Sequence, residues 1–166
     1  MAGNYLRGLG HRHVAHLTGS SRHGNLWSRE QGFRRAFQEA KGRGSCVVLR
    51  GDHSQQGGAD MARRLFEDHP EVTAVFAAND AMAYGVLQAA AQSRLRIPQD
   101  LSLIGFDNVD LSSIVHPPLT TIHQPKYEMG KAAVEILLRK IHEARPITEH
   151  RVLGVQLVER ESCRAL

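Results

Sequence analysis

Residues 73–108 read TAVFAANDAMAYGVLQAAAQSRLRIPQDLSLIGFDN. A short apolar run, Ala74–Ala78, ends at Asn79-Asp80, and a helix is predicted over 81–93. A second apolar run, Leu101–Phe106, then ends at Asp107. Strand, a helix of a dozen residues and strand again make a βαβ unit and hence a parallel sheet. Both strands are too short and too uniformly apolar to have a wet face, as expected when helices cover both sides of a sheet.

The same alternation extends upstream. A strand is predicted at His13–Thr18 and a helix at 28–41, with Ser28 and Gln31 as a capping box. Phe33, Ala36, Phe37 and Ala40 share one face of that helix, and Gly42 and Gly44 stop it. A strand at Ser45–Leu49 and a helix at 56–68, with Met61, Leu65 and Phe66 turned inward, complete the series. Right-handed crossovers are expected throughout. The fold class that follows is α/β, a Rossmann-like doubly wound parallel sheet.

Downstream the pattern breaks. His116-Pro117-Pro118-Leu119-Thr120-Thr121 cannot be helical, because paired prolines restrict themselves and the residue before them. An extended crossover is expected there. A helix at 127–142 carries a stripe of Met129, Ala133, Val134, Leu137, Leu138 and Ile141, and a last strand spans Val152–Val158. At the other end, Gly3–Leu9 reads as the final turns of a helix that starts earlier. The stripe of the late helix has no sheet of its own nearby in sequence. Both features suggest a piece of a larger, two-lobed protein, and a stripe left bare should self-associate or fold back on its own sheet.

Composition narrows the function classes. At 166 residues with 42% apolar content a sizeable core is possible, and 5% aromatics make it an aliphatic one. The net charge of +4 comes from scattered arginines and lysines, with no run of five or six, so a solvated surface explains it better than a nucleic-acid patch. No stretch of 18 apolar residues suggests a membrane span. Cys46 and Cys163 have no ligand spacing, and Cys46 reads as a small buried hydrophobe. Ten histidines raise the question of a metal, yet the closest pair, His11 and His13, has no third ligand within reach, so neither metal nor cofactor is expected.

In open α/β sheets ligands bind beyond the carboxyl ends of the strands. That rule selects 20–29, Asp52-His53, Asn79-Asp80 and Asp107-Asn108 as neighbours on one rim. Arg29 falls in the first turn of its predicted helix, where the macrodipole disfavours a cation. It is either paired with Glu30 or another carboxylate, or it is a forked donor aimed at ligand hydroxyls. Asn79 is either a helix cap or a cleft residue, and Asp80 is a cap candidate as well. Asp107 is either a turn aspartate or an acceptor for ligand hydroxyls. His53 either stacks on a ligand ring or lines a loop, and Gln124 is either a hinge contact or an ordinary polar residue.

Two enzyme-like signals are weak. Thr18-Gly19-Ser20-Ser21-Arg22-His23-Gly24 follows a strand but places His23 and Asn25 where a dinucleotide loop wants glycine. Tyr127 and Lys131 have the spacing of a short-chain dehydrogenase pair, but two fixed positions carry little. No nucleophile, base and orienter stand together, so an enzyme is not expected.

The sequence resembles the lactose/galactose repressor (LacI/GalR) family over nearly its whole length. The resemblance rests on Tyr5-Leu6-x-x-Leu9-Gly10-His11-Arg12, Arg29-x-x-Gly32-Phe33, Gly51-Asp52 with Gly57-Gly58, TAVFAANDAMAYGVL at 73–87, IPQDLSLIGFDN at 97–108, PPLTTIHQPKYEMG at 117–130, and Val158-Glu159-Arg160-Glu161-Ser162. Their order and spacing carry it. It implies a periplasmic-binding-protein-like fold of two lobes with a ligand cleft between them. Residues 1–10 would then end a crossover helix, 11–115 form the C-terminal effector-binding lobe, 116–125 the crossover hinge, and 126–166 a returning helix and strand that belong partly to the other lobe.

The resemblance also implies roles. Arg29 would bond effector hydroxyls or carboxylates, and Asn79 and Asp107 would grip the ligand. Gln124 would reach the cleft from the crossover. His53 stands where many relatives stack an aromatic ring, and His23 and Asn25 lie in a variable specificity loop. The expected partners are a small-molecule effector, carbohydrate in class, a second copy in a homodimer, and operator DNA through an N-terminal head that this sequence lacks. The expected compartment is the cytoplasm. A periplasmic sugar-binding protein of an uptake system shares the fold and is the alternative.

Overall fold

A computed structural model describes residues 1–21, 23–38, 44–143 and 148–166. In chain order the elements are α1 (Ala2–Gly8), β1 (His13–Gly19), α2 (Gly24–Gln38), β2 (Ser45–Gly51), α3 (Gln55–Asp68), β3 (Ala74–Ala77), α4 (Asp80–Gln92), β4 (Ser102–Asp107), β5 (Thr120–His123), α5 (Lys126–His142) and β6 (Gln156–Val158). A 3-10 turn, Asp110–Ser113, lies between β4 and β5.

Among the described residues six strands form one sheet in the order β2-β1-β3-β4-β5-β6. The first five run parallel, and β6 pairs antiparallel with β5 through Thr121↔Val158 and His123↔Gln156. The chain moves outward from β1 to β2 and then back across β1 to β3. The strand order therefore reverses at β1 and β3, which opens a crevice at their carboxyl ends.

Alternate residues of each strand feed two cores, because side chains in a strand point to opposite faces. Ala15, Leu17, Val75 and Leu103 pack with Met61, Leu65, Met82 and Val86 of α3 and α4. Val14, Phe76, Ile104 and Ile122 pack with Leu6 of α1 and Phe33 and Phe37 of α2. Both faces are thus covered, which is why the strands lack polar alternation.

The C-terminal segment is sewn to the sheet. The Ser162 hydroxyl donates to the Leu103 carbonyl and accepts from the Thr120 amide, and His11 holds the Arg164 carbonyl through Nε2 and the Thr73 hydroxyl through Nδ1. In α5 no residue is buried, and Val134, Leu137, Leu138 and Ile141 are all more than half exposed.

Two expectations need correction. The second helix starts at Gly24, so Ser28 and Gln31 sit inside it and form no cap. Its expected end, 39–41, and Gly42 lie outside the described residues. The last strand is confined to Gln156–Val158; Val152 is 97% exposed and Arg151 is turned away into ion pairs with Glu135 and Glu149. A hydrophobic alternation makes a strand only where a neighbouring edge accepts it. The segment around the prolines is extended, as expected, and enters the sheet, since Thr120–His123 is β5 and its first three residues are buried.

Candidate functional site

The parallel strands end at Gly19, Gly51, Ala77, Asp107 and His123, and residues beyond these ends are joined by hydrogen bonds around the rim. The ring of His53 lies so close to Gly19 that a Cβ there would meet Nε2 at 1.9 Å. The His53 carbonyl accepts from Asn79 Nδ2 at 3.1 Å. Asn79 caps α4, accepting from the Met82 amide at 2.8 Å, so the cap reading holds while one Nδ2 proton has no partner among the described residues.

Next to Asn79 stands Arg29. Its Nη1 donates to the Ala78 carbonyl, and its guanidinium lies over Phe106 with the carbon 3.4 Å from the ring centroid. Arg29 is the sixth residue of α2 rather than a first-turn residue, so the dipole argument for it lapses. Stacking and one carbonyl bond hold it instead. Nε and Nη2 carry no hydrogen bond among the described residues, which leaves a donor edge open.

Asp107 follows Phe106. Its Oδ1 accepts from Gln124 Nε2, its backbone carbonyl accepts from Lys126 Nζ, and Oδ2 has no hydrogen bond among the described residues. Burial holds this carboxyl above the usual range, while Gln124, Arg29 and Lys126 work against the shift. Asp107 and Asn108 both have positive φ, 122° and 52°. Non-glycine residues rarely adopt such conformations, and they recur where a site is held in shape.

The rim therefore brings together Arg29, Asn79, His53, Asp107 and Gln124. His23 and Asn25 are not drawn in. Both are exposed at the start of α2, and His23 is engaged with Ser21 alone among the described residues. Sequence reasoning missed Phe106, the platform under Arg29; Lys126, which latches the carbonyls of Asp107 and Asn108; and Arg160, which donates to Asn108 Oδ1 at 2.8 Å. Phe106 could have been suspected, because it precedes Asp107 and so points to the face α2 covers. Arg160 lies 52 residues from its partner and carries no local signal.

A second polar group lies beneath α2. Glu30 is fully buried, with Oε1 accepting from Arg50 Nη2 at 2.8 Å and from Arg34 Nη1 at 3.2 Å. Its Oε2 is 2.7 Å from the same Arg50 nitrogen but lacks hydrogen-bond geometry. His16 stacks on Phe76 at 4.9 Å and gives its Nδ1 proton to the Phe76 carbonyl, which leaves Nε2 bare. Among the described residues no cluster of three His, Cys, Asp or Glu stands ready for a metal, and no helix is long and apolar enough to cross a membrane.

The site is a ledge at the carboxyl ends of the strands, where the planar cation of Arg29 and the carboxylate of Asp107 feel each other's charge. It has no nucleophile and base in contact. The chain matches the periplasmic binding protein-like domain over residues 4–163 and belongs to that family. Its relatives include LacI-type repressors. It is 38% identical to the ribose operon repressor of Escherichia coli (strain K12) over 166 residues, 98% of this chain and 49% of that protein. Among solved structures, a LacI family transcriptional regulator from Enterococcus faecalis V583 with bound ribose superposes with a TM-score of 0.90 at 33% identity, covering 99% of this chain and 59% of the other. The dimeric Lac repressor with an 11-residue C-terminal deletion superposes with a TM-score of 0.88 at 29% identity, over 99% and 60%. The chain spans about half the length of the curated relatives it matches. These relatives are transcriptional regulators rather than enzymes.

Proposed function

We propose that the chain is the effector-sensing region of a LacI-type repressor and takes a sugar or sugar derivative at the Arg29–Asp107 rim. The observation that carries this reading is the open donor edge of Arg29 beside the open Oδ2 of Asp107. Vicinal hydroxyls satisfy both at once, each giving a proton to the carboxylate and accepting one from the guanidinium. Asn79 and Gln124 extend the grip, and His53 offers a ring face. Ribose, bound in a relative, is the first ligand to try. The region is non-enzymatic and works in the cytoplasm. That its relatives are repressors favours this reading over an uptake protein.

The bare stripe of α5 is the seat of the second lobe, with 116–125 as the hinge and 11–115 as the lobe that holds the rim. Closure of the lobes on the ligand alters the DNA-reading head of the full-length protein, so effector and operator affinities are linked reciprocally. The test is calorimetric titration of the protein with pentoses, hexoses and disaccharides, with the single Trp27, on the same helix as Arg29, as a fluorescence reporter. Binding of at least one sugar, abolished in Asp107→Ala, is expected. Equal affinity in Asp107→Ala removes that residue from the site.

The protein works as a homodimer. The turn after β4 presents Val109, Leu111 and Ile114 to solvent, the last 74% exposed, beside half-buried Tyr84 and Val115. An apolar cluster on a rigid turn suits a two-fold contact, where each residue serves twice. Ile114→Glu is expected to weaken dimerisation at least about tenfold in sedimentation equilibrium, since it buries a charge at the centre of the contact. An unchanged dimer constant moves the contact elsewhere.

A further inference from the structure

We propose that Asp80 is the positioning residue of the effector rim, its buried carboxylate tying together the three segments that carry Asn79, Asp107 and Gln124. This rests on the rim being the effector site.

Asp80 is 1% exposed, at the start of α4 and directly after Asn79. A buried carboxylate is expensive unless every oxygen is occupied, and an apolar residue would fill the same space without that cost. Here both oxygens are used. Oδ2 accepts from the Val109 amide at 3.0 Å and from the Ser112 hydroxyl at 2.7 Å, and Oδ1 accepts from the Thr121 hydroxyl at 2.6 Å. No room is left for movement on the sheet side, because a Cβ on Gly105 would come within 2.2 Å of Oδ1.

The destinations of these bonds decide the meaning. Val109 follows the two positive-φ residues, Asp107 and Asn108, so the Val109 bond fixes the chain where it leaves its unusual conformation. Thr121 lies three residues before Gln124 on β5, and Gln124 holds Asp107 Oδ1. The backbone of Asp80 itself sets Asn79. One carboxylate therefore determines the spacing between the amide of Asn79, the carboxylate of Asp107 and the amide of Gln124. Ser112 is also bonded to the Tyr84 hydroxyl at 2.9 Å, which secures the third arm to α4. A purely structural carboxylate has no reason to send its bonds to the flanks of two ligand-facing residues while its own backbone carries a third. The charge of Asp80 is also felt at Asp107, where it adds to the upward shift caused by burial.

The experiment uses Thr121→Val, which keeps the shape of the side chain and removes the Oδ1 bond, with Asp80→Asn as the second variant; valine and asparagine are near-isosteric with the residues they replace, where Asp80→Ala leaves a hole. Without ligand, the Gln124 side-chain amide is followed by NMR and the Asp107 carboxyl by its carbon-13 titration. In Thr121→Val the Gln124 amide is expected to move toward its free position and the Asp107 titration to move upward, as the Gln124 bond loosens. Native values for both in both variants overturn the proposal. With ribose as the probe, Thr121→Val is expected to weaken binding about tenfold, and the double variant with Gln124→Ala to lose little beyond the worse single one, because one acts through the other. Full additivity overturns the proposal. Absence of ribose binding in the native protein counts against ribose as the effector, while the ligand-free spectra still decide whether Asp80 positions the rim.

Discussion

Replacing Arg29 with lysine is expected to weaken sugar binding about 100-fold, although charge and approximate reach are preserved, because a planar fork and a point charge are not interchangeable. Arg29 does three things at once. It lies over the Phe106 ring, donates from Nη1 to the Ala78 carbonyl, and keeps Nε and Nη2 without a hydrogen bond among the described residues. A lysine ammonium can make the carbonyl bond or face the ligand; it has no plane to rest on the ring and no second donor edge. Burial disfavours the cation, with the Asp107 charge opposing that effect, so a mobile ammonium would also turn toward Asp107 and occupy the acceptor a hydroxyl needs. Calorimetry on Arg29→Lys and Arg29→Ala separates the contributions. Similar losses in the two variants mean that geometry dominates. Native affinity in Arg29→Lys means that charge alone suffices and that the Phe106 platform has no part in binding.

The rim was legible because parallel sheets have a directional rule. Once 74–78 and 101–106 are read as neighbouring parallel strands, Asn79 and Asp107 must lie at the same end. What holds them there was not legible. The Phe106 stack and the Arg160–Asn108 bond join residues far apart in the chain, and nothing local announces either. Asp80 looked like one more helix-capping candidate, because a cap and a buried tie use the same residue at the same position; only the burial of its carboxylate and its partners on β5 and the 3-10 turn distinguish them. The start of α2 was misplaced for a related reason. Ser28 and Gln31 have the spacing of a capping box, but that spacing also occurs inside a helix, and Gly24 with φ 69° begins it one turn earlier. Val152–Val155 shows the opposite failure. The alternation is present, yet only Gln156–Val158 reaches the free side of β5.

The same face of the sheet sets an acid limit on the fold. His16 is fully buried between Phe33 and Phe76, and burial lowers its imidazole from 6.5 to about 4; the carboxylate of Glu30 and the Phe76 carbonyl favour the proton but do not overcome desolvation. His11, also buried, is shifted in the same direction for the same reason. A depressed histidine stays neutral in the folded chain while the unfolded chain takes up a proton. Stability from this source is therefore complete above pH 6.5 and falls as pH drops toward 4. For His16 alone the loss across that window is about 3 kcal/mol, a large share of the 5–15 kcal/mol that typically separates folded from unfolded domains. Asp107, held above the usual carboxylate range, works against this only near the bottom of the window, and carboxylates with lowered values, such as Asp100 at about 2, lose their contribution below it. Urea unfolding at steps between pH 7 and pH 4.5 is expected to show a steady decline that is much shallower in His16→Gln, with the native His16 ring still neutral at pH 5 by NMR. A His16 resonance titrating near 6.5 in the folded protein, or a flat stability profile over that range, would remove the argument. The loss is also placed where it matters for the site, since His16 packs against Phe33 of the helix that carries Arg29.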